Sequence, residues 1–177
     1  MKRVETVLGE LESARRRLMA EVEGLRDPRF GAMPRRGGWS ASQVILHLAT
    51  AEDGMARGIE AWNAGKLRFQ SQPSDPLRRL LYYSGLYRMV RVKTVSRLDP
   101  EKPLPRDETL ARIGASRERL MTAIEEGERR GLWTYRMRHP FLGALSMEEM
   151  LRFLAYHEER HRLQIVRIKA ALAKDEK

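Results

Sequence analysis

His157 and His161 stand four residues apart in a stretch that reads as one long helix over 146–173. Residues at that spacing share one helical face, one turn above each other. His47, far earlier in the chain, lies on the apolar stripe of a second helical pattern. Two antiparallel helices with these faces turned inward bring three imidazoles into one partly apolar pocket. Three neutral nitrogens leave positions open on a divalent transition metal, as in a catalytic site rather than a closed structural one. Such an ion makes a thiol or water acidic enough to serve as a nucleophile at neutral pH. Imidazole suits nickel, zinc, copper and iron alike, so the donors alone do not name the metal. Proton competition for these nitrogens is expected as pH falls through about 6.5.

The bland reading of a histidine on an apolar stripe is a hydrogen-bonded core residue. Two at this spacing, with a third on a facing stripe, need a shared reason to be buried together. A sharper motif is rejected. His157-Glu158-Glu159-Arg160-His161 matches H-E-x-x-H, in which Glu158 would be the general base of a metalloprotease. The downstream pattern departs from it: Gln164 stands at the glycine position and Arg167 where a third histidine would be. Glu158 then lines the pocket edge or a solvated groove.

Other residues near the histidines carry weaker signals. Gln164 shares the face of His161 and could bond its free ring nitrogen or a metal-bound water. Glu158 and Gln164 are the candidate catalytic side chains. Glu52, five residues after His47, is either an orienting carboxylate or surface. Trp39 is expected to pack over the start of its helix, and His139, before Pro140, to hydrogen-bond locally rather than join the metal.

The elements that must position these groups are helices. Val4, Val7, Leu11, Ala14, Leu18, Val22 and Leu25 step by three and four, predicting a helix over 2–25. Ser40 and Gln43 form a capping box that opens a second helix over 40–64, with Gly65 at its end. Its stripe holds Val44, His47, Leu48, Ala51, Met55, Ile59 and Trp62. Prolines bracket 66–106, where a helix from Leu77 to about Arg91 and then a loop are expected. A third helix, capped by Asp107, covers 107–130, its stripe of Leu110, Ile113, Leu120 and Ile124 interrupted by Arg117. The segment 132–143 crosses over, and Ser146 with Glu149 caps the last helix in a second box. No useful β-alternation appears. The fold class expected is all-α: a four-helix bundle with a long crossover connection between helices 2 and 3.

The 177 residues suit a single domain, 1–177, able to bury a core. There is no cysteine, which excludes disulfides and thiol nucleophiles. The charged N-terminal stretch has no signal-peptide character, and no apolar run could span a bilayer. A cytoplasmic protein without membrane association is expected. The net charge of +10 invites a nucleic-acid reading. Its arginines are dispersed and no nucleic-acid module appears, so a solvated basic surface is the expectation.

The stretches WSASQVILHLATAED and HPFLGALSMEEMLRFLAYHEERHRLQI resemble the DinB/YfiT-like superfamily. The specific signals are the Trp-Ser entry with a histidine eight residues after the tryptophan, the final H-x-x-x-H-x-x-Q-I, and the turn before the last helix. They cover the second and fourth helices; the first and third match only by pattern and length. The resemblance implies a crossed-over bundle, often homodimeric, with nickel or zinc on His47, His157 and His161. It also implies metal-dependent chemistry such as transfer of a low-molecular-weight thiol co-substrate. Fold analogy names a site better than a reaction. Three classes therefore stand: a metalloenzyme that transfers a thiol to, or hydrolyses, a small molecule; a non-catalytic metal or small-molecule binder; and a basic DNA-associated stress factor. Trp62, Tyr82, Tyr83, Leu86 and Tyr87 add large side chains in and beside the crossover, which suits a homodimer.

Overall fold

The computed structural model describes residues 2–67, 102–139 and 142–175. Four helices dominate it: α1 (Lys2–Glu23), α2 (Ala41–Asn63), α3 (Arg106–Glu128) and α4 (Met147–Asp175). The expected helix between Leu77 and Arg91, with Tyr82, Tyr83, Leu86 and Tyr87, lies outside the described residues.

The helix ends follow local chemistry. At α2, Ser40 Oγ accepts from the Gln43 N–H and Gln43 Oε1 accepts from the Ser40 N–H, closing the capping box. The Lys66 N–H reaches Ala61 O and the Gly65 N–H reaches Trp62 O, with Gly65 at φ +70°. That is a Schellman termination, and it needs the left-handed backbone that glycine supplies. Ser146 and Glu149 make the second capping box before α4. The start of α3 corrects the sequence reading. Pro105, not Asp107, is the N-cap, and its carbonyl accepts from the Thr109 N–H at 3.0 Å. Asp107 falls in the first turn, where it favours the positive end of the helix dipole without capping it.

Cross-helix bonds fix the directions. Glu10 pairs with Arg152, Arg17 with Glu159 and Glu21 with Lys169, so α1 and α4 run parallel. Ser42 bonds Thr109, Glu60 bonds Arg119 and Asn63 bonds the Ala123 carbonyl, so α2 and α3 also run parallel. Between the pairs the direction reverses. Val44 and Ile45 near the start of α2 share an apolar cluster with Ile165 and Ile168 late in α4. Met55 and Ile59 share the other cluster with Met150 and Leu154. The order is up, down, down, up. Because α3 starts beside the start of α2, the chain between them must return the length of a helix, roughly 35 Å. This is why the connection between helices 2 and 3 has to be long.

The segment 132–143, expected as a simple crossover, holds more structure than the sequence suggested. α3 ends at Glu128 with Arg129 as its C-cap; Gly131, at φ 81°, then opens a 3-10 turn (Leu132–Thr134), followed by β1 (Arg136–His139) and β2 (Gly143–Ser146). The strands pair antiparallel from Arg136↔Ser146 to His139↔Gly143. Strands of four residues are too short for period-two alternation to stand out. The hairpin closes one end of the bundle: Leu145 joins the core, and Met137 lies so close to α2 that a Cβ on Gly58 would come 2.8 Å from its Cε.

The core is divided. One apolar cluster contains Leu11, Met55, Leu120 and Leu151; the other contains Leu18, Ile45, Ile113 and Ile165. Between them, every helix places a buried polar side chain.

Candidate metal centre

The second helix and the last helix carry the three histidines to one point. His47 Nε2 lies 3.1 Å from His157 Nε2, which lies 3.0 Å from His161 Nε2. One ligand atom from each falls within 4.8 Å of the others. The residues are 3%, 9% and 6% exposed. The capping box at Ser40 sets where α2 begins, and so the depth at which His47 enters. The antiparallel run of α4 past α2 then brings His157 and His161 opposite it.

These nitrogens cannot satisfy one another. Gln164 Oε1 sits 2.8 Å from His161 Nδ1, which assigns the ring proton to Nδ1 and leaves the Nε2 lone pair bare. His157 carries at most one Nε2–H and has two imidazole neighbours, so only one of its contacts can be a full hydrogen bond. Burial, then the electrostatics of His161, His47 and Arg160, pushes the His157 pKa well below the ordinary histidine value. Burial and then His47 push His161 down to about 3, against the upward pull of Gln164. Neutral imidazoles with converging lone pairs are the donor set that a divalent ion requires. The residues present therefore fit such an ion. At His157 and His161 the depressed pKa values also move proton competition below the 6.5 expected from the sequence.

The sequence profile of the DinB superfamily matches residues 10–165. The chain belongs to the DinB superfamily. Two solved structures share its fold. "Crystal structure of TT2238, a four-helix bundle protein" is 24% identical with a TM-score of 0.59, over 91% of this chain and 96% of that one. YfiT from Bacillus subtilis, described as a probable metal-dependent hydrolase with an unusual four-helix bundle topology, is 16% identical with a TM-score of 0.59. That match covers 96% of this chain and 87% of YfiT. No curated protein matches the chain.

Aromatic rings wall this DinB site. Trp39 is half-buried, its ring 5.0 Å from that of His47 and stacked at 13° on that of His161. It packs against the core, as expected, and also on two of the three candidate ligands. Phe153 stacks on His157 at 5.6 Å. His139 lies beyond Phe153, 4.3 Å from its ring, and its Nδ1 accepts from the Leu142 N–H at 3.2 Å. It bonds locally and stays outside the triad, and burial lowers its pKa to about 4.

The carboxylates are placed differently from the expectation. Glu158 lines neither a pocket edge nor a solvated groove; it is 3% exposed, pointing between helices. Its Oε1 accepts from Arg15 Nη2 and Arg117 Nη2, each at 2.7 Å. Successive residues on a helix point about 100° apart, which carries Glu158 away from the face of His157. Glu52 is not surface: it is 2% exposed and accepts from Arg15, Arg117 and the Ser116 hydroxyl. Burial pushes the Glu158 pKa up, against the pull of Arg15 and Arg117. Burial works against the Arg15 charge, but Glu158 and Glu52 outweigh it and hold the guanidinium pKa above its usual value. Sequence reasoning missed Arg15, which sits in the run Arg15-Arg16-Arg17. Its one signal was position, one residue after Ala14 on the apolar stripe.

Proposed function

We propose that this chain is a divalent-metal-dependent enzyme whose ion is held by His47, His157 and His161, acting on a small molecule through a thiol or water. The observation that carries this reading is the convergence of three buried Nε2 atoms within 4.8 Å. When bound, the ion supplies Lewis acidity that lowers the pKa of a thiol or water in its open position. Nickel and zinc are the ions proposed, and a low-molecular-weight thiol the co-substrate. The description of YfiT as a probable metal-dependent hydrolase supports the hydrolytic variant.

The chain's own residues do the rest. Gln164 accepts from His161 Nδ1 and so fixes the tautomer that turns Nε2 inward. Trp39 and Phe153 hold the imidazole planes and keep bulk water from their edges. Glu158 is held by two guanidiniums and does not serve as a general base in this scheme. Gln164 is the remaining polar candidate beside the ion.

The reading also includes a homodimer in the cytoplasm. Trp62 does not support a free apolar patch, since it stacks on Tyr135 at 5.2 Å within its own chain. Among the described residues, no helix is long and apolar enough to cross a membrane. Sedimentation at micromolar concentration should show a dimer; monomer alone would remove that part.

The activity test is a screen of nickel- and zinc-loaded protein against small electrophiles with and without thiols, and against ester and amide substrates. His161→Ala runs alongside. Turnover that needs the metal and is lost in the variant is expected. Metal binding without turnover would leave a non-catalytic binding protein. Turnover equal in the variant would contradict the reading.

A further inference from the structure

Each helix contributes one charged side chain to the layer between the two apolar clusters: Arg15 from α1, Glu52 from α2, Arg117 from α3 and Glu158 from α4. Their side chains are 11%, 2%, 12% and 4% exposed. Two guanidiniums and two carboxylates cancel in charge. The connectivity is reciprocal. Arg15 belongs to the α1–α4 pair and reaches across to Glu52 of α2 at 3.0 Å. Arg117 belongs to the α2–α3 pair and reaches across to Glu158 of α4 at 2.7 Å. Each guanidinium also holds the carboxylate of its own pair. The two parallel pairs are thus strapped together twice, at one level.

That level adjoins the histidines. Glu158 is the residue after His157, and Glu52 follows His47 by little more than one turn. We infer that Arg15, Glu52, Arg117 and Glu158 are positioning residues that set the register of α2 against α4, and so hold His47 opposite His157 and His161. The part of this that concerns metal affinity rests on the ligand reading above.

The physical need is plain. A slide of one residue along a helix shifts a side chain by about 1.5 Å and turns it by about 100°. Metal ligation tolerates errors of only about 0.2 Å. Apolar burial is non-directional and resists such a slide weakly. Charge-assisted hydrogen bonds with a planar guanidinium are directional. Buried ion pairs add little net stability against apolar replacements, and fixing a register is their best-attested use.

The test replaces the layer with apolar side chains of similar size: Arg15→Met, Glu52→Leu, Arg117→Met and Glu158→Leu together. Helix content and melting temperature report the fold. Ring-to-ring nuclear Overhauser contacts between His47 and the α4 histidines, measured on metal-free protein, report the register. Zinc affinity reports the site. The variant should fold, lose or broaden the ring contacts, and bind zinc about 10–100-fold more weakly. Glu60→Gln, which removes the exposed Arg119 pair between α2 and α3, should change neither reading. A folded variant with wild-type ring contacts and wild-type zinc affinity overturns the inference. If the fourfold variant does not fold, Arg117→Lys decides. An ammonium keeps the charge but cannot bridge both carboxylates in the guanidinium's geometry. Weaker ring contacts support the inference and unchanged ones overturn it. Wild-type protein that binds no zinc, but whose ring contacts depend on the layer, supports the register role and overturns the metal reading alone.

Discussion

Two buried polar groups lie next to each other in this bundle, and they are chemically opposite. The charged layer is nearly complete: two guanidiniums and two carboxylates, linked by bonds of 2.5–3.1 Å, cancel one another. The histidine triad is incomplete, with three nitrogens facing one another and too few protons to join them. A complete cluster belongs to the framework. Three imidazole nitrogens converging on one point form a group that could hold a metal ion. Both are buried, both join α2 to α4, and each keeps one buried atom without a partner, Glu158 Oε2 and His157 Nδ1. What separates them is that the layer pairs opposite charges while the triad turns imidazole nitrogens on one another.

Breaking the complete cluster should have the largest effect. Glu158→Ala leaves Arg15 and Arg117 sharing Glu52 as their one buried carboxylate, with the exposed Glu12 reaching Arg117 only at 3.8 Å, and so leaves uncompensated charge in the core. The expected loss is about 3–5 kcal/mol, or roughly 6–20 °C in melting temperature for a chain of this size. Thermal denaturation followed by circular dichroism measures it. A loss near zero would show that water reaches the layer and that it is not the closed framework described here.

Breaking the incomplete cluster should act mainly through the ion. Wild-type protein should gain thermal stability when zinc or nickel is added, by about 2.7 kcal/mol at a concentration one hundred times Kd. His161→Ala should keep its helical spectrum and gain nothing from either metal. Equal stabilisation of both proteins would place the ion elsewhere.

The smallest effect is expected from a modest change of pH on the metal-free protein. An unfolded histidine titrates near 6.5, whereas folded His139 and His161 titrate near 4 and 3. Neutral imidazole is the form the fold keeps. The stability these groups contribute is fully present above about 6.5 and is lost as pH falls toward their folded values. Between pH 8 and pH 6 the melting temperature should move little, and it should then drop steadily toward pH 4. A maximum at pH 5 would mean that the buried histidines are charged.

Much of the fold is legible because four amphipathic helices repeat one signal many times. The capping boxes at Ser40 and Ser146 fix two helix starts within a residue. The start of α3 was misjudged because Asp107 looks like a cap, while the Thr109 side chain is bonded to Leu104 and Ser42 behind Pro105. The hairpin was missed because its strands are too short to show a period. The triad was legible because two of its members share a helix at a diagnostic spacing and the third lies on an apolar stripe. The charged layer was not, since each helix supplies only one member and no spacing relates them. Arg117 was visible as an interruption of a stripe, but a lone arginine there has many readings. Only the packing of all four helices shows that Arg15, Glu52, Arg117 and Glu158 meet.

X-ray absorption of protein loaded with one equivalent of zinc tests the central claim most directly. Three histidine nitrogens at about 2.0–2.1 Å, with the remaining positions filled by water oxygen, are expected. The pattern should vanish in His47→Ala. A zinc shell without imidazole scattering, or one unchanged by His47→Ala, would contradict the account.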